Sequence, residues 1–317
     1  MSKFKKIDIS KVKTISIKNR KSKVSSKDFA TVYNPKKESF NKFISSLPNI
    51  LKSQDLKDLA KEIIKSRKNK KPVILMMGAH VIKVGLAPII IELVEQKIIT
   101  AIAINSAAAI HDSENALFGQ TSEDVAENIL DGSFGMSKET GDFINKTLKK
   151  YANKGDFGYG EALGEELILL KAANLKFSLL ASCIKNNVPI TVHAAIGTDI
   201  IHQQPTMDGG VTGEMSYRDF KIFTNVVKDL SGGGVLLNFG SSVIMPEIFL
   251  KALTIARNLG FKTNNFTTAN FDMLRHYRPT MNVVQRPTQN GGRGFDFSGH
   301  HEIMMPLLFA MIKSDIK

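Results

Sequence analysis

His111, Asp112 and Glu114 lie within four positions of one another in the run Asn105-Ser-Ala-Ala-Ala-Ile-His-Asp-Ser-Glu114, directly after the apolar segment 100–104. Acidic groups just beyond a strand can hold ribose hydroxyls or a cationic amine, and a histidine there can move a proton near neutral pH. The same residues could open a helix capped by Asp112 or Ser113. The apolar run that follows does not need three ionisable groups, which favours a functional reading.

Four more polar clusters follow apolar segments: Gly78-Ala79-His80, Gly197-Thr198-Asp199, Gly240-Ser241-Ser242 and Thr267-Thr268-Ala269-Asn270. Small residues after a buried strand let backbone N–H groups approach a phosphate, and the next helix adds a favourable dipole. One such cluster is usually only a turn. Five in one sheet point to a large nucleotide-type ligand. The Gly-rich stretch Gly155-Asp-Phe-Gly-Tyr-Gly160 follows a Lys-rich helical segment instead of a strand, so it reads as a mobile loop or lid and not as a dinucleotide fingerprint. Gly232-Gly233-Gly234 reads as a helix terminator ahead of a strand.

Other chemistries are less well served. His300-His301 and Asp199/His202 lack the i, i+4 His pairing with a nearby Glu that marks a zinc helix, so no metal is expected. Cys183 has apolar neighbours and reads as a core thiol. Neither Ser106 nor Ser241 stands in a nucleophile-elbow pattern.

The elements that must position these residues alternate along the chain. Strands are expected at 73–77, 100–104, 189–193, 234–239 and 265–268, and helices at 86–95, 121–130, 137–150, 160–173, 177–185, 216–230 and 246–258. This alternation predicts an α/β fold, a doubly wound parallel sheet with helices on both faces, whose ligand lies outside the carboxyl ends of the strands. Residues 1–71 are expected to form a basic N-terminal arm with short helices around the break at Pro48, and residues 72–317 the main domain.

With 43% hydrophobic and 23% charged residues the chain is globular in composition. A lone Cys excludes an internal disulfide, and the opening residues lack a secretory pattern, so a reducing cytoplasm is expected. The most apolar span, 72–93, is interrupted by His80, Lys83 and Glu92, so no membrane span is expected. The net charge of +13 is a property of one end: residues 1–72 hold 21 Lys and Arg against 6 Asp and Glu, and the remaining 245 hold 22 against 24. A Lys-rich arm without aromatic stacking residues or paired Arg reads as a solvated surface, which argues against nucleic acid as the partner.

In order, the strand-end motifs resemble those of deoxyhypusine synthase and its bacterial relatives over about residues 72–313. Gly78-Ala-His-Val-Ile-Lys-Val-Gly85 is similar to the family's first phosphate-side loop, and Asn105–Glu114 to its Thr-Thr-Ala-Gly-Gly-Val-Glu-Glu stretch. Thr198-Asp199 resembles its Thr-Asp, Gly240-Ser241-Ser242 stands where it has three glycines, and Thr268-Ala-Asn-Phe-Asp272 and Met305-Pro-Leu-Leu308 resemble its later motifs. The resemblance implies a Rossmann-like NAD-binding fold, NAD as cofactor and a homotetramer with active sites at a subunit interface. It places the cofactor against Ala79, His80, Lys83, Ser106, Ala107, Ala108, Asp112, Asp199, Ser241, Thr268, Ala269, His300 and His301. The His-Asp-x-Glu stretch also resembles the NAD-binding part of archaeal ornithine cyclodeaminase-like proteins.

The family's imine-forming Lys lies in a Trp-Gly-Lys motif before the final helix, whereas Gly292-Arg-Gly-Phe-Asp-Phe-Ser-Gly-His-His301 contains no Lys. The expected function is therefore an NAD-dependent enzyme that removes hydride from a polar amine or amino acid to give an imine. Asp112 and Glu114 would hold the cation, His111 or His301 would move the proton, and Asp272 and Arg275 would line the substrate side. Arg275 lies beside His276 and Arg278 and could bind a carboxylate, which favours an amino acid. Two alternatives stay open: a nucleotide-binding regulatory protein without turnover, and a true aminobutyl transferase with a different nucleophile.

Overall fold

Val73–Met77 (β1) is five apolar residues in a row, all buried, as a strand covered on both faces requires. In the computed structural model, which describes residues 2–316, β1 lies in a sheet with Ala101–Asn105 (β2), Ile190–His193 (β3), Val235–Phe239 (β4), Thr267–Asp272 (β5) and Arg293–Ser298 (β6). The spatial order is β3-β2-β1-β4-β5-β6 and every pairing is parallel. This is the doubly wound arrangement expected, with the direction of winding reversing between β1 and β4.

The chain divides into two units, 1–54 and 55–317. The first holds short 3₁₀ turns and the helix Phe40–Ser46 (α1), in which Phe43 packs on Tyr33 at 5.3 Å between ring centroids. The helix Leu51–Lys68 (α2) leads into the second unit. There β1 is followed by His80–Lys83 (α3) and Ala87–Glu95 (α4). Between β2 and β3 comes a five-helix excursion: Ser106–Phe118 (α5), Val125–Asn128 (α6), Lys138–Ala152 (α7), Tyr159–Leu169 (α8) and Leu179–Lys185 (α9). Gly209–Val227 (α10) precedes β4, Ile244–Asn258 (α11) precedes β5, and Tyr277–Pro279 (α12) opens the crossover to β6. His301–Asp315 (α13) ends the fold.

Side chains alternate across the strands, so each face of β1 and β4 meets its own helix layer. On one face Ile74, Met76 and Leu236 pack with Phe223 of α10 and with Phe249 and Leu253 of α11. Full burial of a side chain such as Phe249 contributes about 1.5–3 kcal/mol. No helix among the described residues is long and apolar enough to cross a membrane. Cys183 is a free, buried thiol.

Three expectations need correction. The strand read at 265–268 runs over Thr267–Asp272 instead, and β6 was not foreseen, because Arg293-Gly-Phe-Asp-Phe-Ser has too few apolar residues to stand out. The helix expected over 121–130 is only the single turn α6. Of the stretch read as a loop or lid, Gly155 does sit in an exposed bend, but the glycines from 158 onward form no lid. Gly158, Tyr159 and Gly160 are buried, and a Cβ on Gly160 would lie 2.2 Å from the carbonyl oxygen of Ile190, so these glycines let α8 press against β3.

That packing rests on Asp219 of α10, which is fully buried. Its Oδ2 accepts the N–H of Gly160 (2.9 Å) and of Val192 in the edge strand β3 (2.6 Å). Ser216, one helical turn earlier, accepts the N–H of Ala194 and donates to the carbonyl of Val192. Two side chains of α10 thus satisfy backbone groups that an edge strand would otherwise leave open.

Candidate active site

At the carboxyl ends of β1 and β4 two turns touch. A Cβ on Gly78 would lie 2.3 Å from the carbonyl oxygen of Gly240. Gly240 has φ +64°, and a Cβ on it would lie 2.5 Å from Nε2 of His301. Both positions therefore exclude any side chain. Their N–H groups prolong the sheet by donating to Phe239 and Phe271.

His301 opens α13 and is 1% exposed. Burial holds its pKa below the ordinary histidine value, opposed by the Asp272 carboxylate and reinforced by His80. Its Nδ1 has no hydrogen-bond partner, and its ring lies 5.8 Å from that of His80. The apolar wall behind it is a ladder of stacked rings on adjacent strands, Phe239 on Phe271 at 4.2 Å and Phe271 on Phe297 at 4.6 Å. One residue back along the same strands the other face carries a polar ladder. Asn238 donates to Asn270 (2.8 Å), Asn270 donates to Asp296 (3.0 Å), and Asp296 pairs with Arg275 (3.0 Å). Asp272 closes β5, nearly buried, with His276 at 4.0 Å.

A second group lies on the β2 side, around a cleft of about 860 Å³. Asn105 caps α5 by accepting from the N–H of Ala108. Along that helix His111 and Glu114 face the cleft together, as i, i+3 positions do. Thr121 donates its hydroxyl proton to Glu114, so the 2.6 Å contact between His111 Nδ1 and Thr121 must be a donation from the imidazole. The Nε2 lone pair of His111 stays free. Thr140 donates to the other Glu114 oxygen at 2.9 Å. Burial lowers the His111 pKa, opposed by Glu114 and Asp199 and reinforced by Lys83. Asp199 accepts from Ser106, and its pKa is raised, chiefly by burial. The charges acting on His111 and on His301 are different sets, so these are two clusters with α3 between them, His80 serving one and Lys83 the other.

The expected residues sort accordingly. Ala79, His80, Asp272, His300 and His301 gather at the β1/β4 crossing, whereas Arg275 pairs with Asp296 on β6, two strands away. Lys83, Ala107, His111, Glu114 and Asp199 line the β2-side cleft, with Ser106 bonded to Asp199. Four do not reach either place. Asp112 is buried and accepts from Ser178 (2.7 Å), Leu179 N (2.7 Å) and Leu180 N (3.1 Å), so its carboxylate caps α9 and not a ligand. Burial raises its pKa to about 6. The N–H of Ala108 is taken by Asn105. Thr268 and Ala269 sit inside β5, fully buried, with Thr268 donating to the carbonyl of Val283. Ser241 is at the crossing, but its hydroxyl accepts from the N–H of Met245 and steadies the start of α11.

Sequence reasoning missed Asn238 and Asp296 and named Asn270 only as part of a strand-end cluster. Their signal was the recurring pair Asn238-Phe239, Asn270-Phe271 and Asp296-Phe297, one per strand end. Among the described residues no group of three or more His, Cys, Asp or Glu converges to hold a metal ion.

A 3-2-1-4-5-6 parallel sheet with a glycine crossing at its switch point defines a Rossmann-like fold. The family model for the C-terminal Rossmann fold of arginine dihydrolase ArgZ-like proteins matches residues 57–201, less than half of the chain. Three solved structures share the fold. A candidate LOR/SDH protein from Methanococcus maripaludis S2 is 19% identical, with TM-score 0.53 over 84% of this chain and 70% of that one. A candidate deoxyhypusine synthase from Entamoeba histolytica is 13% identical, with TM-score 0.52 over 90% and 98%. AgrE, solved as a ternary complex with ornithine and NAD+, is 12% identical, with TM-score 0.53 over 82% of this chain and 33% of AgrE. The chain thus spans about a third of AgrE's length. No curated protein matches the sequence.

Proposed function

We propose that this chain is an NAD-dependent enzyme that removes hydride from a nitrogen-bearing carbon of a polar amine or amino acid, leaving an imine. The residues at the crossing fit a dinucleotide together with its substrate: they stand at the switch point of the sheet, where such ligands bind, and the orphaned Nδ1 of His301 is a buried polar atom that a substrate nitrogen would partner. NAD+, when bound, supplies the hydride acceptor. Ala79 and the N–H groups of the first turn would face its phosphates, and Ser106 with Asp199 its ribose.

The observation that carries the reading is His301. A buried imidazole held neutral beside Asp272 can take the proton of a substrate ammonium, which must leave before the carbon can give up hydride. Asp272 then stabilises the imidazolium and the phenylalanine ladder keeps water away, while Arg275, paired with Asp296, would have to exchange that partner for a substrate carboxylate. His111 and Glu114 belong to the other cluster and serve binding: Glu114 accepts from a hydroxyl or ammonium group in the β2-side cleft.

The test is reduction of NAD+ at 340 nm with ornithine, arginine and spermidine, alongside calorimetric titration with NAD+. His301→Gln is expected to retain NAD+ binding and to lower kcat by about 10²–10⁴. If NAD+ does not bind, the cofactor assignment falls. If it binds and none of these amines reduces it, the proposed reaction falls.

A further inference from the structure

At the opposite, amino-terminal end of the strands lies a second concavity of about 920 Å³, a size that suits a small ligand. Arg67, Lys70 and Lys71 reach it from the end of α2, Lys97 from the turn after α4, Lys228 from the end of α10 and Lys262 from the turn after α11. Among the described residues the only carboxylate on its walls is Asp229. Residues 73–317 as a whole are nearly balanced in charge, so this concentration is local. Among the described residues none of these six cations forms an ion pair with a carboxylate. Four separate chain segments thus bring like charges together with nothing to neutralise them, an arrangement that repels itself until an anion enters.

We propose that this cleft binds a short run of phosphates, free or carried on a nucleoside. Lys71 and Lys228 are half-buried, so part of each side chain packs against the cleft wall. Phe261 is partly exposed on the same wall, with Lys228 Nζ 5.3 Å from its ring centre, and offers a flat apolar face for a base. A single aromatic among these cations suits one small molecule; a nucleic-acid strand would need a continuing groove with further stacking residues. The site is independent of the reaction proposed above, because the five-residue strand β1 sets the two ends of the sheet about 16 Å apart.

Calorimetric titration of the full chain with tripolyphosphate, with ATP and with a 20-nucleotide single strand tests this. Tripolyphosphate is expected to bind one per chain and to compete with ATP. Lys71→Ala/Lys97→Ala/Lys228→Ala should weaken it by about tenfold or more, while the corresponding Lys→Arg triple variant should retain binding. Equal affinity for the two probes assigns the site to phosphates alone, and tighter ATP binding that is lost in Phe261→Ala assigns it to a nucleotide. The proposal is overturned if tripolyphosphate does not bind, if the alanine variant binds it as well as the parent does, or if only the oligonucleotide binds.

Discussion

Asp219 offers a perturbation whose size follows from its surroundings. Its Oδ2 accepts two backbone N–H groups while Oδ1 has no partner and no access to solvent. A neutral acid fits this geometry, with the carbonyl oxygen accepting both bonds and the proton on Oδ1. Burial pushes the pKa from 3.8 up to about 8, against the lowering effect of those N–H groups. Because the folded value is raised, the stabilisation is fully present below pH 3.8 and is lost as pH climbs through about 8. Within that window folding takes up one proton, and each pH unit costs about 1.4 kcal/mol. Asn offers the same carbonyl with no proton to lose. Asp219→Asn should therefore gain about 1.4 kcal/mol relative to the parent between pH 6.5 and 7.5, roughly 2 °C in Tm for a chain of this length. Urea unfolding at the two pH values, parent against variant, measures it. The difference cancels Asp112, whose own raised pKa affects both proteins alike. Parallel stability–pH curves would mean that Asp219 is ionised in the native state and would refute the reasoning.

Asp112→Asn should destabilise by about 1–2 kcal/mol in denaturant unfolding, because an amide nitrogen cannot accept the bonds that both carboxylate oxygens now take at the start of α9, and leave NAD+ affinity unchanged in calorimetry. Gly78→Ala forces a methyl against the Gly240 carbonyl and should lower both Tm and NAD+ affinity. Gly213→Ala, in α10 with open space around its Cβ position, should instead stabilise by about 0.5–1 kcal/mol. Borohydride added during turnover should trap no substrate adduct on any lysine by peptide mapping, and an adduct on Lys83 would restore a transferase mechanism through an enzyme imine.

The central strands were legible because β1, β2 and β4 are nearly unbroken apolar runs, which only a sheet buried on both faces requires. The flank was not. β5 and β6 carry Thr, Asn, Asp and Arg, and their phenylalanines reveal a strand only once it is seen that they stack across it. At the site, His111 and Glu114 were found together with Asp112, yet helical phase separates them: positions i and i+3 share a face, while i+1 turns about 100° towards the core. The glycines of 155–164 showed a need for bare backbone without showing what approaches it. That partner, Asp219, lies about 60 residues away and carries no local signal.

The strand order has a consequence during synthesis. β1 gains β2 within some 30 residues, but its other neighbour, β4, begins about 160 residues later. At roughly 5–20 residues per second on the ribosome, one side of the apolar Val73–Met77 strand waits about 8–30 s for its partner. During that interval its open backbone can pair with a neighbouring nascent chain. The chain is thus most exposed to misassociation before β4 has emerged, and slowing translation between β2 and β4 should lower its soluble yield, whereas slowing it after β4 should not.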